Sequence, residues 1–375
     1  MAAEPDYDLV VALNYYAPYV SGVTEAARVI AEGLAASGLK VAVVAGRHES
    51  GLPRRERLAG VQVVRTGVVA RFGKGIVSPT FVPTVVRMAG RARMLLLHAP
   101  MLEAGLIAVA VRHTPIVTLY HCDVTLPPGV LNRLQERALD ASHRLACRRS
   151  AAVVVTTDDY ARHSRVSAAL RDREVVIPPP AVVRGNGSPS FRSSSGTHVG
   201  FLGRIVEEKG LEYLVKGFRG LDDPQARLLI GGDYTRVAGG SVVDQVRAEI
   251  GDDTRISLLG FLPEDSLADF YASIDIFALP SVTALEAFGL VQVEAMMAGV
   301  PSLTSDLPGV RIPVQRTGFG AIVPPRDAAA ITDAIAHLRD GNLDREAGSR
   351  TTRELYEART VVERFANLLA SPLGR

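Results

Sequence analysis

Cysteine is scarce: Cys122 and Cys147 are the only two in 375 residues. That is too few for a disulfide framework, and their spacing offers no Cys₄ or Cys-His metal site, so a reducing interior is expected. The opening stretch, MAAEPDYDLVVALNYY, has no basic segment followed by a long apolar run, which argues against a secretory signal. Long apolar spans are missing too. The most apolar one, MLEAGLIAVAVRHTPIVTLYH, is broken by Glu103, Arg112, His113 and Pro115, short of the roughly 20 residues needed to cross a bilayer. A cytoplasmic protein is expected, with any membrane contact peripheral. Net charge is also small, +2, but unevenly spread: residues 1–180 carry 22 Lys and Arg against 15 Asp and Glu, and the remainder 20 against 25. The basic first half suits an anionic acceptor or a membrane surface; ordinary solvated surface and attraction between domains fit it equally.

What is present is a long alternation of short apolar runs and helical patterns, with 47% hydrophobic content, enough for two domains with separate cores. DLVVAL feeds the loop NYYAPYVSG, a helix from Thr24 to Ser37 ending at Gly38, and the strand KVAVVAG. PIVTLYH, a helix from about Leu131 to Arg149, AAVVVT and EVVIPPP continue the series. Residues 178–196, PPPAVVRGNGSPSFRSSSG, are dense in Pro, Gly and Ser and mark a boundary. A second series follows: HVGFLG, a helix from about Glu207 to Arg219, ARLLIGG, a helix near 240–250, RISLLG, a helix from Leu267 to Ala272, DIFALP, a helix from Glu286 to Ala298, PSLTS, GAIVP, and a helix from about Asp327 to Leu338. The expected fold class is α/β, with two Rossmann-like domains of parallel sheet facing one another across a ligand-binding cleft. Domain 1–180, linker 181–196, domain 197–350 and a helical tail 351–375 packing back toward the first domain complete the expectation.

Glu286 and Glu294 flank EAFGLVQVEAMMAG. Their spacing is slightly over two helical turns, so both carboxylates can share a face of one helix start beside open backbone N–H groups. Sugar hydroxyls next to a diphosphate suit that arrangement, and so does a bland one in which two acids complement a helix dipole. GFLGRIVEEKG puts Arg204 just after a strand and Lys209 in the next helical turn, where two cations meet a diphosphate or join a surface ion network. Gly203 lets backbone pass close to a ligand, Gly231 and Gly232 end another strand, and Phe261 and Leu262 offer a base an apolar edge or pack into the core. In the first domain Gly22 precedes a helix, without the GxGxxG or GxxxxGK[ST] pattern. His121, at a strand's carboxyl end, precedes Cys122, but adjacent residues of an extended segment point apart, which is poor geometry for a Cys-His nucleophile.

Together these segments resemble the family 4 retaining glycosyltransferases, which have the GT-B fold. The likeness runs over nearly the whole chain through Gly22, GRIVEEKGLEYLV, LLIGG, LLGFLP, ADFYASIDIFALPS, EAFGLVQVEAMMAGVPSLTSDLPGV and GFGAIVPPRD, and its E-x₇-E motif falls on Glu286 and Glu294. The resemblance implies a hexosyltransferase of the EC 2.4 class, moving a sugar from a UDP- or GDP-sugar to a hydroxyl acceptor without metal or other cofactor. It implies that Glu294 binds the ribose, Glu286 the transferred sugar, and Arg204 and Lys209 the diphosphate, helped by N–H groups of Phe288, Gly289 and Leu290. His121 would contact the donor sugar and Gly22 would close on phosphates or acceptor. The apolar segment from Phe81 to Leu97 and the basic first half favour a lipid-linked or cell-envelope acceptor, made at the inner face of the membrane; a soluble small-molecule acceptor stays open, and nucleic acid is not expected. Two departures stand out: Val23 follows Gly22 where the family often has a second glycine, and PSVTALEAFG is long before Glu286. A sugar-nucleotide epimerase and a silent nucleotide-sugar-binding protein of the same fold are the alternatives.

Overall fold

The computed structural model describes residues 5–72, 75–126, 128–234 and 240–371. It divides into two units, residues 1–180 with 358–375, and residues 181–357. In the first unit an eight-stranded sheet runs in the order Glu174–Val176, Ala152–Val155, Ile116–Tyr120, Ala92–Ala99, Tyr7–Ala12, Val41–Arg47, Val61–Gly67, Arg55–Leu58. All neighbours are parallel except the edge hairpin of the last two strands. The central strands are apolar on both sides because helices cover both faces. Leu95, Leu96 and Leu97 are fully buried there, so the apolar segment 81–97, expected to favour a lipid, is a core helix, Phe81–Ala89, followed by a central strand.

The second unit holds a six-stranded parallel sheet in the order Ile256–Gly260, Arg227–Gly231, His198–Leu202, Ile276–Leu279, Ser302–Ser305, Gly320–Val323. Strand order reverses direction around His198–Leu202, the first strand, as in doubly wound sheets. Val199, Phe201, Leu228, Ile230, Ile276 and Ala278 point into one buried layer under the helix Leu211–Arg219.

Four expectations change. Residues 181–196 do not bridge units as a linker but pack within the second: Ala181 N–H donates to Tyr356 O at 3.0 Å, Ser188 N–H to the Asp269 carboxylate at 2.7 Å, and Arg192 pairs with Asp275 at 3.0 Å. The helix expected over 207–219 is a short 3₁₀ turn, Glu207–Lys209, and an α-helix, Leu211–Arg219, separated by Gly210 at φ 64°. The helix expected from Glu286 begins at Leu290, because Gly289 takes φ 80°, a left-handed conformation that stops the helix there. The polar tail is two helices. Arg345–Tyr356 stays with the second unit, where Arg353 donates to Met297 O at 2.9 Å, and Ala358–Ala370 packs on the helix Gly22–Ala36 of the first. Gly33 permits that contact, since a Cβ there would lie 2.6 Å from Val362.

No helix among the described residues is long and apolar enough to cross a membrane.

Candidate functional site

In the second unit the carboxyl ends of three strands are tied by their backbones. Gly203 N–H donates to Gly231 O at 3.0 Å and Gly232 N–H to Gly260 O at 2.7 Å. Gly232 takes φ 154°, and the carbonyl of Gly203 occupies the place its Cβ would fill. The close approach at Gly232 is therefore made by the backbone of Gly203. Gly203, at φ 155°, lies against the Phe201 ring and the Lys209 side chain.

This edge carries the charged groups. Arg204 is half exposed and among the described residues its guanidinium engages only Glu208, at 3.3 Å. Lys209 donates directly to the Glu286 carboxylate, both side chains being mostly buried. Local sequence explains the pair. Gly210 lets the turn press against the Pro280 carbonyl, and Val282 N–H donates to Glu208 O at 2.9 Å, which locks the Lys209 turn to the loop that carries Glu286. Next to Glu286 the helix Leu290–Met297 opens without a side-chain cap. The N–H groups of Phe288, Gly289 and Leu290 have no acceptor among the described residues. A row of open N–H groups at a helix start is a ready anion seat. Gln292, fully buried, holds that turn by donating to Phe288 O at 2.6 Å and Val310 O at 2.9 Å.

Glu294 projects from the same helix. Its carboxylate accepts from the Tyr271 hydroxyl at 3.2 Å and lies 3.5 Å from Arg184 Nε; Arg184 also pairs with Glu264 at 3.0 Å. Burial raises the Glu294 pKa above its ordinary value, with Arg184 and Tyr271 opposing the shift. Phe261 is exposed and not in the core, whereas Leu262 packs beside Gly231.

His121 and Gly22 belong to the first unit. His121 follows the strand Ile116–Tyr120, and its N–H donates to Ala99 O at 2.9 Å. The next residues are held firmly: Asp123 accepts from the hydroxyls of Tyr120, at 2.6 Å, and Ser164, at 2.7 Å. In the ring plane His121 Nε2 meets His98 Nδ1 at 2.9 Å. Burial lowers the pKa of both imidazoles, that of His121 to about 4, so both are neutral near pH 7 and one proton lies between them. The outer nitrogen of His98, Nε2, is buried without a partner among the described residues. A stranded N–H is the rarer state of a buried group, so His98 donates and His121 carries its remaining hydrogen on Nδ1. His121 lines a narrow hollow with Ala26, Thr156 and Pro178. Ala26 lies one turn into the helix that Gly22 begins, and the cap of that helix is Ser21, paired reciprocally with Thr24. A Cβ on Gly22 would meet nothing within 4 Å.

Among the described residues no three His, Cys, Asp or Glu side chains gather as a metal-binding group. Sequence reading missed Arg184, Tyr271, Gln292 and His98. Tyr271 was visible in ADFYASIDIF, but nothing local tied it to Glu294.

Two family profiles match. One, described as glycosyl transferases group 1, covers residues 196–340, and the other, a glycosyl transferase 4-like domain, covers 21–180. Between them they take in most of both units, in order. The chain belongs to the family 4 glycosyltransferases. As such it is an enzyme of the EC 2.4 class, with the GT-B fold. The chain is 29% identical over 350 residues to the phosphatidyl-myo-inositol mannosyltransferase of Mycobacterium leprae, covering 86% of each chain. It is 27% identical over 270 residues to the 2-deoxystreptamine glucosyltransferase of Streptomyces kanamyceticus, covering 68% of each. Among solved structures, sucrose-phosphate synthase of Thermosynechococcus elongatus aligns with TM-score 0.77 at 19% identity, over 96% of this chain and 97% of that one. Anabaena HepE in complex with UDP and glucose aligns with TM-score 0.71 at 18% identity, over 97% and 100%. This glycosyltransferase thus has relatives whose names specify different acceptors.

Proposed function

We propose that this family 4 glycosyltransferase takes its sugar from a nucleoside-diphosphate sugar, a UDP- or GDP-sugar, and transfers it with retention to a hydroxyl, without metal or other cofactor. The observation that carries the reading is the Lys209–Glu286 pair beside the open N–H groups of Phe288, Gly289 and Leu290. In it a cation and an anion-binding helix start stand next to a carboxylate able to accept from sugar hydroxyls. Arg204 and Lys209 hold the diphosphate, Glu286 orients the transferred sugar, and Glu294 accepts from the ribose hydroxyls. His121 donates from Nδ1 to the donor sugar, and Gly22 belongs to the acceptor side.

In the reaction the bond from the anomeric carbon to the phosphate oxygen breaks. A bond to the acceptor oxygen forms on the same face, and the acceptor's proton passes to the leaving phosphate, giving a nucleoside diphosphate. Negative charge grows on that phosphate as the bond lengthens, so fixed positive charge and N–H dipoles there are the main catalytic aid. A lipid-linked acceptor is favoured by the relative named a phosphatidyl-myo-inositol mannosyltransferase, and a cell-envelope product made at the inner face of the membrane completes that reading. A soluble small molecule is the second reading, supported by the glucosyltransferase relative.

Metal-free thermal-shift titration against UDP, GDP, ADP and dTDP tests the donor site, because a ligand of the folded state raises the midpoint by mass action. One nucleotide-selective shift, lost in Arg204→Ala and weakened in Glu294→Gln, is expected. Absence of any shift at millimolar nucleotide would refute the assignment.

A further inference from the structure

We propose that the helices Ala104–Ala110 and Val130–Arg149 form a docking face for an anionic lipid bilayer. Leu106 and Val109, one turn apart on the first helix, and Leu102, in the turn that leads into it, are all exposed, Leu106 to 60%. On the second helix Leu131, Leu134 and Leu145 are exposed, with Ala138 and Ala141 between them on the same stripe. These six side chains are close to half of the large exposed apolar residues of the described chain, although the two helices are a small part of it. Such concentration marks an interaction surface, whereas scattered exposed apolar residues need no explanation.

The two stripes form one surface. Gly105 N–H donates to the Ser142 hydroxyl at 2.8 Å, and that hydroxyl donates to Leu102 O at 2.6 Å. A Cβ on Gly105 would lie 2.8 Å from Ser142 O, so the helices approach backbone to backbone there. Ser142 stands one turn from both Ala138 and Leu145, which brings the second stripe beside the first.

Charge selects the occupant. Arg137 and Arg148 interleave with the apolar stripe, one turn from Leu134 and Leu145, and have no carboxylate partner among the described residues. Arg112 and Arg133 are exposed nearby. The acids of this region are spent or hidden: Asp140 is buried and paired with Arg165 at 3.0 Å, and Glu136 accepts from Leu126 N–H at 2.7 Å. Glu103 has an oxygen buried without a partner among the described residues, and burial raises its pKa. An apolar face studded with unpaired arginines is complementary to acyl chains under anionic headgroups. Face-to-face pairing of two copies would oppose like charges. The inference deepens the lipid-linked reading of the acceptor but rests on this surface alone.

Vesicle flotation of the full chain, without substrates, tests it. Vesicles of phosphatidylcholine with phosphatidylglycerol are expected to carry the protein, and pure phosphatidylcholine vesicles are not. Raising the salt should release it. Arg137→Glu with Arg148→Glu should lower partitioning at least tenfold, at roughly fivefold per charge removed. Leu106→Asp with Leu134→Asp should do the same. Equal binding by wild type and both double variants would overturn the proposal, as would loss in the arginine variant alone. A dimer in sedimentation that dissociates in Leu134→Asp, with no vesicle binding, would assign the face to a second copy. The nucleotide thermal shift, measured on the same samples, verifies folding and keeps the two readings separable. Vesicle binding without any nucleotide shift would refute the donor site and leave the docking face standing.

Discussion

Among the histidines buried in the first unit are His98, His121 and His143. His98 and His121 face each other at 2.9 Å, and His143 Nε2 accepts from Met101 N–H at 3.1 Å. Desolvation lowers the pKa of all three, to about 4 for His121 and His143. An unfolded histidine titrates near 6.5, so below that pH the unfolded chain binds protons that the folded one refuses. Stability is therefore whole above pH 6.5 and falls as the pH drops toward 4. Each of His121 and His143 gives up roughly 2 kcal/mol by pH 5. Urea midpoints measured from pH 7 to 5 should fall steadily; a flat profile would mean that these rings are solvated. Local sequence concealed the His98–His121 contact because it depends on the register of two strands, His98 standing opposite Leu119. For the same reason Arg184 went unnoticed in a stretch of Pro, Gly and Ser. Its partners, Glu264 and Glu294, become neighbours only once the second unit has folded.

Strands and helices were largely legible, since period-two and period-3.6 apolar patterns are set by burial and recur along both units. Their ends were not. Lys209 and Glu286 were both read as helical, and both lie in turns whose course is fixed by contacts remote in sequence: Gly210 against Pro280, Gly289 against Leu279. Apolar periodicity carries no record of such contacts. The E-x₇-E spacing was readable, but the late start of the helix, at Leu290, places the carboxylates on different elements, one in a loop and one on a helix. The glycines proposed for the site separate cleanly by what surrounds them. Gly232→Ala should destabilise the second unit by about 3 kcal/mol or more, from left-handed backbone strain and overlap with the Gly203 carbonyl. Gly22→Ala, with open space around it, should be neutral or slightly stabilising. Chemical denaturation of the two variants checks both, and equal effects would contradict the backbone geometry described for Gly232.

Across the whole molecule, the boundary between units was legible as a change of composition near residue 180, but its second crossing at residue 357 was hidden inside a continuous polar helical pattern. Val361 and Phe365, past that crossing, are buried in the core of the first unit with Ala27, Ile30 and Leu34. Phe365→Ala should cost that unit about 3–5 kcal/mol. Hydrogen exchange should show faster opening at the strands Tyr7–Ala12 and Val41–Arg47, while the strands of the second unit keep their protection; uniform loss in both units would contradict the division.

That crossing has a consequence for biogenesis. A ribosome delivers residues 1–180 first, yet their hydrophobic layer lacks its covering helix, Ala358–Ala370, until the intervening 177 residues have been made. The unit begun first is the one finished last. During elongation the faces of Ala27, Ile30 and Leu34 stay open to solvent and to chaperones, and the second unit can complete its own core while the first still waits.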